Sequence, residues 1–164
     1  MLSPSLEDYL EEIYRVASSN APVRVSDVAA GLRVKLPSVV KALHRLAAEQ
    51  YLEYEGGDII LTSSGREVGR YLVERNRVIR EFLQILGSHE TAAREAEAVE
   101  HGFSLVTLKA IEALVAYMKA NPALCDGFAR FRESESASGC AGRIDFQESH
   151  VSAHGLAQRG SKTG

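Results

Sequence analysis

The fold of this chain is decided by Arg24–Leu46, RVSDVAAGLRVKLPSVVKALHRL, and by Tyr51–Thr62, YLEYEGGDIILT. In the first stretch apolar residues recur at helical spacing on both sides of a turn, and Pro37 suits the start of the second helix. In the second, two β-prone runs flank Gly56-Gly57, a pair suited to a tight hairpin because glycine accepts positive φ. Helix, turn, helix and hairpin in this order predict a winged helix-turn-helix.

The helices around this unit follow from periodicity and cap residues. Apolar residues from Leu6 to Ala17 predict a first helix, and Val23 and Val25 a short strand or extended lead-in. The remaining expected helices are Asp27–Leu32 capped by Ser26-Asp27, Pro37–Gln50, about Gly65–Leu86, about Thr91–Gly102 and about Leu105–Ala120. The predicted fold class is mainly α: a winged helix-turn-helix with a small β-hairpin wing, followed by an all-helical domain.

The predicted domain limits are 1–64 for the DNA-binding part and 65–125 for the helical part. The segment 133–164 is rich in Ser, Gly and charge without a period, and we expect it to be a disordered tail. Cys125 and Cys140 form no recognisable metal or redox motif and fit a reducing compartment. The start of the chain lacks a signal peptide and no apolar run approaches membrane-spanning length, so we expect a cytoplasmic protein with no membrane partner.

Charge is segregated along the chain. The net charge of −3 argues against an indiscriminate nucleic-acid binder, but Arg33–Arg45 carries four basic residues and no acid. This stretch favours a specific DNA-reading helix, with base and phosphate contacts near its start and an apolar contact from Val40, for instance to a thymine methyl. The candidate DNA contacts are Arg24, Ser26, Lys35, Pro37, Ser38, Val40, Lys41 and Arg45. The alternative is an ordinary helical unit whose basic stretch is a solvated face.

Two clusters of possible metal ligands flank the DNA-reading segment. Asp8 and Glu11 lie three residues apart on the first predicted helix, so their carboxylates share a face. Glu97, Glu100 and His101 follow at i, i+3 and i+4 on a later helix. Carboxylates with one imidazole and no thiol suit a first-row divalent ion at the hard end of the series. Taken singly, each cluster is more often a solvated surface.

The chain resembles the diphtheria toxin repressor family of metal-responsive transcription regulators, in its shorter manganese-responsive branch. The resemblance spans about residues 3–120 and is carried by SPSLEDYLEEIY, RVSDVAAGLRVKLPSVVKALHRL, YLEYEGGDIILTSSGREVG, LVERNRVIREFLQILG and EAEAVEHGFS. It implies ligand roles for Asp8, Glu11, Glu97, Glu100 and His101, with Mn²⁺ as co-repressor and Fe²⁺ as the second choice. Iron-responsive relatives have Met and Cys where this chain has Asp8 and Glu97.

The resemblance also implies a homodimer that binds double-stranded DNA at a palindromic operator and represses genes of metal homeostasis. The apolar surface for dimerisation would come from Phe103, Leu108, Ile111, Leu114 and Val115. Metal would then select the DNA-competent arrangement of the dimer. No small organic substrate is expected.

The chain departs from the family pattern at Asn76, where the family has a histidine. An amide oxygen is a legitimate ligand for a hard cation but lacks the imidazole nitrogen. Three outcomes are open: Asn76 ligates, water takes its place, or one of two neighbouring metal positions is lost. We expect a site that still binds divalent metal, with altered affinity or selectivity. Val40 also stands where relatives commonly have Ser or Thr, so operator preference does not transfer.

Three rival functions remain. The first is a winged-helix regulator that no longer needs metal because Asn76 disabled the site. The second is a metal-dependent hydrolase, which the lack of a poised nucleophile, of HExxH and of a phosphate-binding glycine loop disfavours. The third is a protein-interaction module, which would show no salt-dependent DNA affinity. We therefore predict that the chain is not an enzyme.

Overall fold

The computed structural model describes residues 2–19, 22–55 and 58–137. The elements in these ranges are α1 (Pro4–Ser18), α2 (Val25–Leu32), α3 (Leu36–Ala48), β1 (Leu52–Glu55), β2 (Asp58–Leu61), α4 (Ser63–Ile85), α5 (Ala92–Val99), a 3-10 turn (Glu100–Gly102), α6 (Leu105–Ala120) and α7 (Pro122–Ala137). The chain divides into one unit that ends at Asn121 and a second that begins at Pro122. The mainly helical class with a small hairpin is confirmed.

The N-terminal elements form the winged helix-turn-helix around one core. α1, α2 and α3 bury their apolar stripes together with the inner face of the hairpin, because each stripe alone would face water. β1 and β2 are antiparallel, with Leu52 opposite Leu61 and Tyr54 opposite Ile59. The predicted Gly56-Gly57 turn lies outside the described residues. Leu52, Ile59 and Leu61 anchor the wing on the helices.

A second core lies between α4, α5 and α6. Its buried residues are Val78, Ile79, Ala96, Leu108, Ile111 and Val115. Three of them, Leu108, Ile111 and Val115, were expected at a dimer surface; this assignment was wrong, because they form the stripe that α6 turns toward α4. α4 joins the two cores, since Leu72 packs in the first and Val78 in the second.

Close packing of α1 on α4 positions the candidate site. Gly69 allows it, because a Cβ at this residue would lie 2.6 Å from Cβ of Tyr14. Thr62 caps α4 by accepting a 3.0 Å hydrogen bond from the backbone N–H of Gly65. The Thr62 cap marks the start of α4, and the close approach at Gly69 lets Arg75 of α4 reach Glu7 of α1.

The helix-turn-helix differs in detail from the prediction. α2 begins at Val25 with Arg24 as N-cap, so Ser26 and Asp27 lie inside the helix and do not cap it. Arg33 ends α2 in the left-handed conformation with φ 55°, and its N–H bonds back to the carbonyls of Ala29 and Ala30. The recognition helix, which was predicted as Pro37–Gln50, is α3; it starts one residue earlier, at Leu36, and ends at Ala48. Of the two alternatives for Val23 and Val25, the strand does not form: Val25 begins α2, and the residue before it, Arg24, has an extended backbone.

The last described element overlaps the start of the segment for which disorder was expected. α7 continues to Ala137, so residues 133–137 are helical in the structure. Pro122 starts this helix favourably, and the Arg and Glu residues near its end are good helix formers that composition alone undervalues. Residues 138–164, including Cys140, lie outside the described residues. No helix of the described chain is both long enough and apolar enough to cross a membrane.

Candidate metal centre and DNA-facing surface

A cavity of about 600 Å³ opens between α1, the end of α2, α4, α5 and the 3-10 turn. All six sequence-predicted ligand residues line it: Asp8, Glu11, Asn76, Glu97, Glu100 and His101. They come from three separate stretches of chain. The fold therefore brings together side chains that the sequence separates by almost ninety positions.

Asp8, Glu100 and His101 form the tightest part of this set. Among the described residues, one possible ligand atom from each of these three side chains lies within 4.8 Å of the other two. Nε2 of His101 is 3.1 Å from Oδ1 of Asp8 and 3.9 Å from Oε1 of Glu100. These three groups can converge on one small cation.

Asn76 contacts the cluster through its amide nitrogen. Nδ2 donates a 2.9 Å hydrogen bond to Oε2 of Glu100, and both side chains are buried. In this orientation Asn76 holds the carboxylate of Glu100 in place. A histidine at this position would offer a ring nitrogen to a metal instead of an amide donor.

Glu11 is a buried carboxylate in the wall of the cavity. Burial, followed by the negative charge of Glu100, raises its pKa to about 7, while the positive charges of Arg15 and Arg75 oppose this rise. Arg15 donates a 2.5 Å hydrogen bond to Oε1 of Glu11. Ionised Glu11 is therefore less favoured than the carboxylate of an exposed glutamate, even with Arg15 beside it.

Glu97 is the one exposed residue among the four predicted carboxylate ligands. It is exposed on α5 and lines the cavity, but it is not one of the three residues of the tight cluster. Arg94, one turn earlier, lines the same wall. Because Glu97 is exposed, its side chain is less constrained than those of the buried Glu11 and Glu100.

Sequence reasoning missed two residues that organise the site, Glu7 and Arg75. Nη1 of Arg75 donates a 2.8 Å hydrogen bond to Oε2 of Glu7, and its Nη2 lies 3.5 Å from Oε1 of Glu100. Nδ1 of His101 lies 2.9 Å from the same Glu7 oxygen and 3.3 Å from Nη2 of Arg75. The available signal was Arg75 itself, a cation on the apolar stripe of α4, which must pair with acids when buried.

Glu7 also affects which ring nitrogen of His101 carries the proton and which one faces the cavity. When Nδ1 carries the ring proton and donates it to Glu7, the lone pair of Nε2 faces Asp8 and the cavity. A carboxylate behind the histidine is the usual arrangement that fixes the tautomer of a metal ligand. The residues therefore fit a divalent cation: hard oxygen donors, one imidazole with its second nitrogen held, and a cavity large enough to admit the ion.

The predicted DNA-contacting residues lie at the start of α2 and along α3. Arg24, Ser26, Lys35, Pro37, Ser38, Lys41 and Arg45 are exposed, and Val40 is half-buried. Leu36, which was not among the predicted residues, is also exposed, at 52%. It lies one turn before Val40, and both line a shallow hollow with Lys41 and Arg45. The sequence feature that could have indicated this exposure is the position of Leu36 beside Pro37, in the first turn of the recognition helix α3.

Two family models cover this chain in succession. The model described as "Iron dependent repressor, N-terminal DNA binding domain" matches residues 1–58. The model described as "Iron dependent repressor, metal binding and dimerisation domain" matches residues 62–125. The chain belongs to the iron-dependent repressor family. It is a metal-responsive, DNA-binding transcriptional regulator and not an enzyme, as predicted; DNA and a second copy of the chain are its partners, and a divalent metal is its cofactor.

Individual relatives agree with the family models. The chain is 37% identical over 125 residues to the HTH-type transcriptional regulator MntR of Bacillus subtilis (strain 168), covering 75% of this chain and 88% of that protein. It is 38% identical over 121 residues to MntR of Geobacillus kaustophilus (strain HTA426), covering 73% of this chain and 86% of that protein.

A solved structure of the manganese regulator SloR matches with a TM-score of 0.61 and 25% identity, covering 71% of this chain and 55% of that one. This chain thus spans about half the length of that structure.

Proposed function

We propose that this iron-dependent repressor family member is a homodimeric repressor that binds a palindromic operator when Mn²⁺ is plentiful, with Fe²⁺ as the second candidate. The observation that carries the proposal is the cavity in which Asp8 and Glu11 of the DNA-reading unit face Glu100 and His101. The names of the MntR relatives and of SloR, a manganese regulator, support manganese. We place the boundary between the DNA-binding and the helical metal-binding and dimerisation parts at about residue 64, and the end of the latter at about 125.

The proposed ligands are Asp8, Glu11, Asn76, Glu97, Glu100 and His101. Carboxylate oxygens predominate, which suits Mn²⁺ better than Zn²⁺ or Cu²⁺ with their preference for nitrogen and sulfur. Asp8, Glu100 and His101 already lie together. Glu11 and Glu97 would complete the shell, and Asn76 would ligate through its oxygen only if its amide turned away from Glu100.

The coupling to DNA follows from where α1 packs. α1 shares a core with α2 and α3, so it carries the recognition helix with it. A bound divalent cation would supply two positive charges to the acidic cluster. Asp8 and Glu11 would then be held to Glu100 and His101. This would fix the DNA-binding part of the chain against the helical part. In a dimer this sets the spacing of two recognition helices to about 34 Å, one turn of DNA.

The proposed DNA contacts divide by chemistry. Lys35, Lys41, Arg45 and Arg24 would bind phosphates, and Ser26 and Ser38 would donate hydrogen bonds near the groove edge. Pro37 and Val40 offer only apolar contact, as does Leu36, which we add to the predicted set. An exposed apolar side chain in the first turn of a recognition helix can contact the 5-methyl group of thymine.

The test is a DNA-binding titration by fluorescence anisotropy with Mn²⁺, Fe²⁺, Zn²⁺ or chelator. An operator is first selected from random duplexes in the presence of Mn²⁺. We expect Mn²⁺ to tighten binding, and Asp8→Asn to reduce this gain by at least about tenfold. Asp8 is half-exposed, so the substitution spares the core. Glu90→Gln, at an exposed turn outside the cavity, is the matched control. Equal DNA affinity with every metal and with chelator would refute the switch.

A second candidate function is a regulator that binds DNA without metal. The observation in its favour is that the protein's own groups satisfy the site: Asn76 bonds Glu100, and Arg75 bonds Glu7. If these contacts alone fix α1 against the 3-10 turn, chelation leaves DNA affinity unchanged in the native chain and in Asp8→Asn. The same titration therefore separates the two functions.

A further inference from the structure

Arg15 covers one of the proposed metal ligands. Its Nη2 lies 2.5 Å from Oε1 of Glu11, one turn earlier on α1, and its Nη1 lies 3.8 Å from Oε2 of Glu12. The side chain of Arg15 is 44% exposed, whereas that of Glu11 is only 7% exposed. The guanidinium therefore reaches from solvent into the wall of the cavity and neutralises a buried carboxylate there.

Arg15 and a metal ion compete for this carboxylate. Glu11 lies among the acids that would share the cation, and a guanidinium within hydrogen-bond distance of the same carboxylate repels a divalent ion. Arg15 can leave, because its long side chain is half in solvent and Glu12 offers it a second partner.

Arg75, which contacts the proposed ligand Glu100, differs in this respect. Arg75 is only 6% exposed and is held by Glu7 and Glu100. A buried arginine with two acidic partners has nowhere to go without leaving those charges unpaired. Of these two cations, Arg75 is fixed and Arg15 is displaceable.

We propose that Arg15 is a displaceable internal counterion that occupies Glu11 until metal takes its place, and that it thereby raises the metal concentration at which this regulator responds. The proposal rests on the ligand role of Glu11 in the proposed function. In this proposal Arg15 sets the metal concentration at which the regulator responds, a role distinct from the ligand roles of Asp8 and His101.

The test is Mn²⁺ binding to the full-length chain without DNA, measured from the electron paramagnetic resonance signal of free Mn²⁺. We expect Arg15→Met, which keeps length and removes charge, to bind Mn²⁺ about two- to fivefold more tightly, the range set by partly exposed ion pairs. Arg15→Gln should behave alike. The matched control is Arg77→Met: this arginine pairs with Glu74 and Glu81 on an exposed part of α4, and its loss should leave Mn²⁺ affinity unchanged.

A double-mutant cycle separates failure of the counterion from failure of the ligand set. In the Glu11→Gln background the gain from Arg15→Met should vanish, because the shared carboxylate is gone. If Glu11→Gln alone leaves Mn²⁺ affinity unchanged, Glu11 is not a ligand and that part of the proposed function fails. The counterion proposal is overturned in three cases, provided that Glu11→Gln weakens Mn²⁺ binding. In the first, Arg15→Met gives no gain in affinity. In the others, its gain is no larger than that of Arg77→Met, or it persists in the Glu11→Gln background.

Discussion

Arg75 of α4 donates a 2.8 Å hydrogen bond to Glu7 of α1, 68 positions away in the chain. The same oxygen of Glu7 lies 2.9 Å from Nδ1 of His101, which follows α5. One carboxylate thus links the first helix of the DNA-reading unit to the helix that joins both cores and to a proposed metal ligand. The candidate metal centre is organised around Arg75 and Glu7, although neither residue belongs to the predicted ligand set.

The first prediction is that Arg75→Met destabilises the protein even in chelator. It leaves Glu7 and the buried Glu100 without their cation, which costs about 3 kcal/mol or more in the free energy of unfolding. Urea unfolding at one protein concentration measures it. Arg77→Met removes an exposed arginine from the same helix and should cost less than about 1 kcal/mol. Similar losses for the two variants would show that Arg75 has no special structural role.

The second prediction concerns Asn76. Asn76→His replaces an amide that bonds Glu100 with an imidazole facing the same cavity, so we expect tighter Mn²⁺ binding and a lower Mn²⁺ requirement for DNA binding. Both are measured by metal titration, the first without DNA and the second by anisotropy. Gln84→His adds an imidazole at an exposed position of α4 and serves as the control. No gain in the first variant would place position 76 outside the coordination sphere.

Helical periodicity explains why so much of this site could be predicted. At helical spacing Asp8 and Glu11 share a face of α1, and the same spacing predicted a shared face for Glu97, Glu100 and His101. In the structure Glu97 lies on α5, whereas Glu100 and His101 lie in the 3-10 turn that follows it. The family resemblance placed the two clusters together. All of them line one cavity with Asn76. The winged helix-turn-helix could be predicted equally well, because the apolar periodicity of α1 to α3 and the Gly56-Gly57 pair are local features of the sequence.

What escaped prediction depends on three-dimensional packing. The pairing of Arg75 with Glu7 and Glu100 needs α1, α4 and the 3-10 turn in contact, and no spacing along the chain encodes this. Two faces of α6 are also apolar, so sequence alone could not tell the one that packs on α4 from the one that stays exposed. Leu108 was placed on the wrong side for this reason.

The third prediction tests the apolar start of the recognition helix. If Leu36 and Val40 contact thymine, replacing that thymine by deoxyuridine removes only the 5-methyl group and should weaken binding by about 1 kcal/mol, roughly fivefold in Kd. The measurement is anisotropy with each operator thymine substituted in turn, at fixed salt and Mn²⁺. Leu36→Ala should lose the sensitivity at one such position.

Lys41→Ala gives the contrasting signature. A lost phosphate contact weakens binding to all duplexes alike and lowers the slope of log affinity against log salt by about one unit. If Leu36→Ala behaves in this way and keeps its sensitivity to deoxyuridine, Leu36 does not read the thymine methyl.

The fourth prediction locates the dimer surface on the exposed side of α6. Leu105, Val106 and Tyr117 are exposed large apolar residues there, and Val106 is the most exposed of them at 80%. Because Val106 packs in neither core, Val106→Asp should leave the fold intact and shift the dimer toward monomer, since a carboxylate in an apolar interface loses its hydration without gaining a partner. Sedimentation velocity over a concentration series measures the shift. Ala48→Asp, at the exposed end of α3, adds the same charge elsewhere and should stay dimeric. A Val106→Asp protein that remains a dimer would place the interface on another face.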